Sequence, residues 1–245
     1  MPIPLKQAMK IGTYVMWQKL KGQERYPLVL MLEPLFRCNL ECIGCGKIQK
    51  PNEILNKNLT PDQCLDAANE CDAPVVSIAG GEPLMHPQIV EIVEGLIKQK
   101  RYIYLCTNAL LLKNFFGKLP ISPFLTLSIH LDGLEDDHDR IVDKKGVFKI
   151  AVESVREAKK MGYRVTSATT FFEGTTVEQA ETFLDFLNPL GLDGVTLSSA
   201  FRYPDAPDQD HFFGRKRTQE FFKELLGKNK KGRWDISHSP LYLEF

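Results

Sequence analysis

The sequence predicts an α/β protein whose parallel sheet curls into a partial (β/α)6 barrel of the TIM type, and three observations predict it. Short apolar runs alternate with helix-period segments from residue 28 onward. Helix-start signals fall between them, at Thr60-Pro61-Asp62-Gln63 and at Thr175-Thr176-Val177-Glu178. The third observation is the run Leu125-Thr126-Leu127-Ser128-Ile129-His130-Leu131-Asp132, which alternates strictly and so puts its polar side chains on one face. A flat doubly wound sheet would show the same alternation of strands and helices. Its strands, covered on both faces, more often read as continuously apolar, so one polar face argues for a lumen that holds a polar ligand.

Taken in order, residues 1–25 carry an amphipathic helix over 5–21, with Lys6, Lys10, Lys19 and Lys21 among Met9, Val15, Met16, Trp17 and Leu20. It reads as a helix docked on the main domain or as a basic, aromatic helix resting at a membrane surface. Residues 26–200 form the barrel. A buried strand is expected over 28–32, and further strands over 74–79, 102–107, 124–131, 164–171 and 194–199. Helices are expected from Thr60 to Cys71, over 89–100 and 110–119, from Val147 to a stop at Gly162, after the Thr175 capping box, and over 219–226. Residues 201–245 make a C-terminal segment. It ends on Leu241-Tyr242-Leu243-Glu244-Phe245, which reads as the beginning of a strand, so the chain is expected to be truncated.

Composition excludes several function classes. Thirty-one basic residues balance 31 acidic ones over 245 residues and are interspersed with them, so no basic field argues for nucleic acid. No run approaches the roughly 18 apolar residues that span a bilayer. Residues 1–22 lack the apolar core and cleavage site of a secretory signal. A soluble cytoplasmic protein is expected, with the inner face of the membrane as a place of peripheral contact. In that compartment six cysteines point to metal or catalytic use rather than to disulfides.

Three of the six, Cys38, Cys42 and Cys45, have the spacing Cys-x-x-x-Cys-x-x-Cys in the loop after the first strand. Three thiolates on a four-iron cluster leave one iron open. A structural zinc site completed by Cys64 or Cys71 is the other reading, although the usual paired Cys-x-x-Cys knuckles are missing. Gly80-Gly81-Glu82-Pro83 follows the second strand. Glycines there let backbone approach a ligand, and Glu82 can face a cationic amine. Cys64 and Cys71, seven apart on a helix, read as packing residues. His130 and His138 flank Asp132 without metal-site spacing. Phe171, Phe172, Phe201, Tyr203, Phe212 and Phe213 gather after the late strands, as core or as the wall of an apolar substrate pocket.

The stretch Arg37-Cys38-Asn39-Leu40-Glu41-Cys42-Ile43-Gly44-Cys45, with Gly80-Gly81-Glu82-Pro83, resembles the radical S-adenosylmethionine (SAM) superfamily over most of the chain. The resemblance implies a [4Fe-4S] cluster on Cys38, Cys42 and Cys45, with SAM chelating the open iron and an external electron donor such as flavodoxin or ferredoxin. It places Gly80, Gly81 and Glu82 at the methionine amine, Asn108 near the cofactor and Ser128 at the methionyl end or ribose. Asp132 and the pair Thr169-Thr170 are further candidates. A narrower resemblance rests on Met31-Leu32-Glu33-Pro34-Leu35-Phe36-Arg37-Cys38, Cys45-Gly46-Lys47-Ile48, Ala206-Pro207-Asp208-Gln209 and His238-Ser239-Pro240-Leu241. These are similar to the adenosylhopane synthases of hopanoid biosynthesis. That family implies addition of the 5′-deoxyadenosyl radical to the terminal alkene of diploptene, with SAM consumed as co-substrate.

Such an addition leaves a tertiary carbon radical that needs a hydrogen atom. Cys106 shares a strand face with Tyr104 and Asn108 and is the candidate donor; as a free cysteine it reads equally as a small buried hydrophobe. Two other classes stay open. One is a radical SAM enzyme abstracting hydrogen from a peptide or nucleotide; the other is a non-catalytic zinc-binding module.

Overall fold

The computed structural model describes residues 3–202, 205–206, 209–229 and 232–237. Helix α1 (Leu5–Leu20) leads into strand β1 (Val29–Leu32), and a loop carrying the short α2 (Asn52–Leu55) precedes α3 (Pro61–Cys71) and β2 (Val75–Ile78). Then come α4 (Ile89–Lys98), β3 (Tyr102–Thr107), β4 (Leu125–His130), α5 (Glu135–Ile141) and α6 (Val147–Met161). The described elements end with β5 (Arg164–Phe171), α7 (Val177–Leu187), β6 (Val195–Ser199) and α8 (Arg215–Lys228). The six strands pair in sequence order, and every pairing is parallel. The result is the curled half-barrel that the sequence predicts.

Register explains the two faces. Leu32, Ile78, Leu105, Leu127 and Val165 stand side by side across five strands. All are buried, and they face the helices in the main core. One residue earlier on each strand lies the row Met31, Ser77, Tyr104, Thr126 and Arg164, which is the inner face. Helix α1 covers the lower end of that face: Gln7, fully buried, donates from Nε2 to Tyr104 Oη at 3.3 Å, and Lys10 Nζ lies 5.8 Å from the Tyr102 ring centre. The described C-terminal residues join the same core through Phe221, Phe222, Leu225, Trp234 and Ile236.

Four expectations need correction. The strand expected to be buried over 28–32 is an edge strand, with Leu28, Val29 and Met31 exposed, because among the described residues no strand pairs with its outer edge. The helix expected over 110–119 shrinks to a 3₁₀ turn at Leu112–Phe115; Gly117, at φ 79°, and Pro120 leave no room for further turns. The capping box expected to start at Thr175 starts one residue later, since Thr176 Oγ1 accepts from Gln179 N and Gln179 Oε1 accepts from Thr176 N. The late aromatics do not act together. Phe171 and Phe213 pack with Phe221 in the core, Phe201 is exposed, and Tyr203 lies outside the described residues.

The shifted cap gives a direct test. Thr176→Ala should cost about 1 kcal/mol of stability, whereas Thr175→Ala should stay within about 0.5 kcal/mol of the parent. Urea unfolding of the two variants side by side reads the difference; equal losses would contradict the cap placement.

Candidate active site

The upper end of the inner face opens into a cavity of about 320 Å³. Its walls come from five places: the loop after β1 gives Cys38, Cys42 and Cys45, and the loop after β2 gives Gly80, Gly81 and Glu82. Cys106 and Asn108 come from β3 and its end, and Ser128, His130 and Asp132 from β4 and its end. Thr170 and Phe172 complete it from β5 and its end. The cavity thus lies where parallel α/β sheets place ligands, at the carboxyl ends of the strands.

The two motif loops are knitted through their backbones. Ala79, Gly81 and Glu82 donate from N–H to the carbonyls of Leu32, Leu35 and Arg37 at 2.8, 3.0 and 2.8 Å. The approach is so close that a Cβ at Gly81 would stand 1.9 Å from the Arg37 carbonyl oxygen, and one at Gly80 would stand 2.3 Å from that of Leu35. Gly80 also holds φ 108°, which side chains rarely adopt. Only glycine fits either position.

The cysteine loop is held on its other sides as well. Leu40 is buried with Val142 and Val147, Ile43 N–H donates to Ile141 O at 2.8 Å, and Asn108 Nδ2 donates to Asn39 Oδ1 at 2.7 Å. Gly44, at φ 73°, lies against the rings of Phe212 and Phe172. Arg37 points away from the cavity, donating to Leu55 O and Asn58 Oδ1. Burial pushes the Cys38 thiol up to about 11 and raises Cys42 further still.

Glu82 is 1% exposed, and its carboxylate accepts three hydrogen bonds: from Thr107 Oγ1 at 2.7 Å, Leu84 N at 3.0 Å and Asn108 N at 2.9 Å. Its burial raises its pKa against the pull of those donors. Asp132 is engaged in a similar way. One oxygen accepts from Thr170 N at 2.7 Å, and the other is paired with His130 Nε2. Burial works against charge on His130, yet the Asp132 carboxylate prevails and the net shift is upward.

Of the residues singled out in the sequence, Cys38, Cys42, Cys45, Gly80, Gly81, Glu82, Cys106, Asn108, Ser128 and Asp132 all line this one cavity. Thr170 does too, but Thr169 faces the other way, buried, donating to Leu131 O at 2.7 Å. The two histidines beside Asp132 part ways. His130 lines the cavity, while His138 is fully buried, accepting from Asp132 N at 3.2 Å, with no partner for Nε2 among the described residues. His130 could have been found from the strand alternation that placed Ser128 and Asp132. Cys64 is sealed in the core and Cys71 ends α3, so neither borders the cavity. Four thiolates on one zinc would lie about 4 Å apart. Among the described residues no three Cys, His, Asp or Glu side chains converge to hold a single ion. His238-Ser239-Pro240-Leu241, Pro207 and Asp208 lie outside the described residues.

Comparison with known proteins agrees with this geometry. Residues 32–187 match the sequence profile of the Radical SAM superfamily, and residues 195–245 match a domain of unknown function, DUF3463. A probable GTP 3′,8-cyclase from Methanococcus maripaludis is 23% identical over 86% of this chain and 73% of its own length. The mycofactocin maturase MftC of Mycolicibacterium smegmatis is 25% identical over 64% of this chain and 41% of its own. Streptococcus suis SuiB, solved with its precursor peptide SuiA, superposes with a TM-score of 0.74 at 17% identity over 95% of this chain and 52% of that one. The chain therefore spans between about two fifths and three quarters of these proteins' lengths.

Two outcomes follow from the geometry. Gly81→Ala should cost about 3 kcal/mol or more in urea unfolding, because backbone must move to admit the methyl. Gly12→Ala, in open space within α1, should instead stabilise by about 0.5–1 kcal/mol. The second concerns His138, held at about 4 by burial and by His130 against an ordinary 6.5. The unfolded chain takes up this proton first, so stability falls as pH drops from about 6.5 to 4, by on the order of 3 kcal/mol from this residue. His138→Gln should flatten that part of the stability profile relative to the parent; identical profiles would refute the assignment.

Proposed function

We infer the chemistry from membership: the chain belongs to the radical SAM superfamily, whose enzymes use a [4Fe-4S] cluster and SAM. The observation that carries the site reading is that three loop thiols share one cavity with Gly80, Gly81 and Glu82. Those residues fit the group. Cys38, Cys42 and Cys45 all line one cavity of about 320 Å³, and Cys64 and Cys71 do not border it. When bound there, the cluster supplies the electron that releases a 5′-deoxyadenosyl radical from SAM.

The chain's own residues orient the co-substrate and shield it. A carboxylate has about four acceptor sites; three on Glu82 are taken by protein donors, which leaves one for the methionine ammonium. Gly80 and Gly81 keep that approach open. Asn108 braces the cysteine loop through Asn39, and Ser128 lines the wall between β3 and β5. Asp132, with both oxygens engaged, acts by aiming His130 into the cavity.

For the substrate, the reading is addition of the adenosyl group to the terminal alkene of a triterpenoid such as diploptene, giving adenosylhopane. It rests on the sequence resemblance and on the cavity wall. The described lining has no arginine, and its one lysine, Lys47, is paired with Glu33. An apolar patch of Ile43, Phe172, Ala200, Ala206 and Phe212 adjoins it. A triphosphate would ask for unpaired cations. Cys106, with its thiol 3.6 Å from Ser77 Oγ and its pKa raised by burial, stays protonated at neutral pH. It gives its hydrogen atom to the adduct radical. One electron from an external donor such as ferredoxin or flavodoxin, and one proton, then restore the thiol.

The second reading is hydrogen abstraction from a nucleotide or peptide, which the relatives named for GTP and for mycofactocin support more directly than they support addition. Anaerobic turnover with SAM, reductant and diploptene separates the two. Addition predicts an adenosylated lipid by mass; abstraction predicts free 5′-deoxyadenosine and an unchanged lipid. Cys106→Ala should leave SAM cleavage intact and cut the saturated adduct at least about tenfold. An undiminished yield would remove Cys106 from the mechanism.

A further inference from the structure

Helix α1 presents two unlike faces. Gln7 and Lys10 turn toward the sheet. At about 100° per residue, Leu5, Met9, Gly12, Met16 and Leu20 fall on one line along the opposite side. The four large members of that line are between 58% and 73% exposed. A stripe of this kind is normally the face a helix buries, yet here no described element covers it. Trp17, 56% exposed, stands beside it with Lys21 Nζ 5.2 Å from the ring centre.

Charge says what kind of partner fits. In a chain with balanced charge, residues 1–23 hold Lys6, Lys10, Lys19 and Lys21 and not one Asp or Glu. On the helical wheel Lys6 and Lys19 lie on the two flanks of the stripe, and both are exposed. We propose that α1 lies flat on an anionic lipid surface, with Leu5, Met9, Met16 and Leu20 in the acyl boundary and Lys6 and Lys19 at the headgroups. A second protein would more naturally bring a helix of its own to such a stripe without needing lysine on both sides. The proposal is independent of the substrate reading, because none of these residues lines the catalytic cavity. Tyr14, on the protein side of α1, packs edge-on against Tyr26 at 5.9 Å, which ties the helix to the lead-in of β1.

The test is flotation of the full chain with two kinds of vesicle: phosphatidylcholine alone, and phosphatidylcholine with phosphatidylglycerol. Binding is expected to the anionic vesicles, falling with added salt and weakening roughly fivefold for each of Lys6→Gln and Lys19→Gln. Met16→Asp with Leu20→Asp should abolish it while leaving the circular dichroism spectrum and melting temperature unchanged. Absence of binding to anionic vesicles would overturn the proposal, as would binding that survives the double Asp variant. A dimer dissolved by that variant, with no vesicle binding, would overturn it in favour of self-association.

Discussion

The architecture depends on one contact in which no side chain takes part. Gly80 and Gly81 bring the loop after β2 against the backbone of Leu35 and Arg37, and this sets where the cysteine loop begins. Were the two loops a Cβ further apart, the thiols and the carboxylate of Glu82 would face different spaces. The strands beneath supply the rigidity; their apolar row from Leu32 to Val165 is buried against the helices. Precision at the rim comes from hydrogen bonds between loop and strand end, not from the loops themselves.

Two buried carboxylates extend that control across the mouth of the barrel. Glu82 takes donors from its own turn and from the end of β3, while Asp132 takes Thr170 N–H from β5 and steers His130. Each is therefore a strut between neighbouring strands as well as a polar group at the wall. Burying a carboxylate is costly unless donors surround it, and both are supplied mainly by backbone N–H groups and short side chains that cannot swing away.

Strand positions were legible in the sequence wherever alternation was strict. The run from Leu125 to Asp132 announced its lumen face, and Ser128 and Asp132 do lie on the face that lines the cavity. Cys106 and Asn108 followed from the same logic on β3. What escaped was set by tertiary partners. Nothing local tells that Thr169 turns outward while Thr170 turns in, since both suit a strand. The helix expected over 110–119 had the right apolar spacing, but Gly117 and Pro120 confined the crossover to a single turn. Nothing in the sequence marks His138 as buried, and only the fold shows it sealed behind Asp132. For α1 the sequence left docking on the domain and resting at a membrane both open, because an amphipathic helix does not declare which face its own protein will use.

The pins that hold the cysteine loop carry one further consequence, for assembly. Leu40 in its apolar nest, Ile43 on Ile141, Asn39 on Asn108 and the glycine contact all act without a thiolate. In a zinc finger the ion is the core, and the polypeptide collapses when a chelator takes it. Here these contacts come from the polypeptide itself, which would make metal loading and folding separable events. Oxygen damage to an installed cluster would then leave an intact, refillable protein rather than a denatured one.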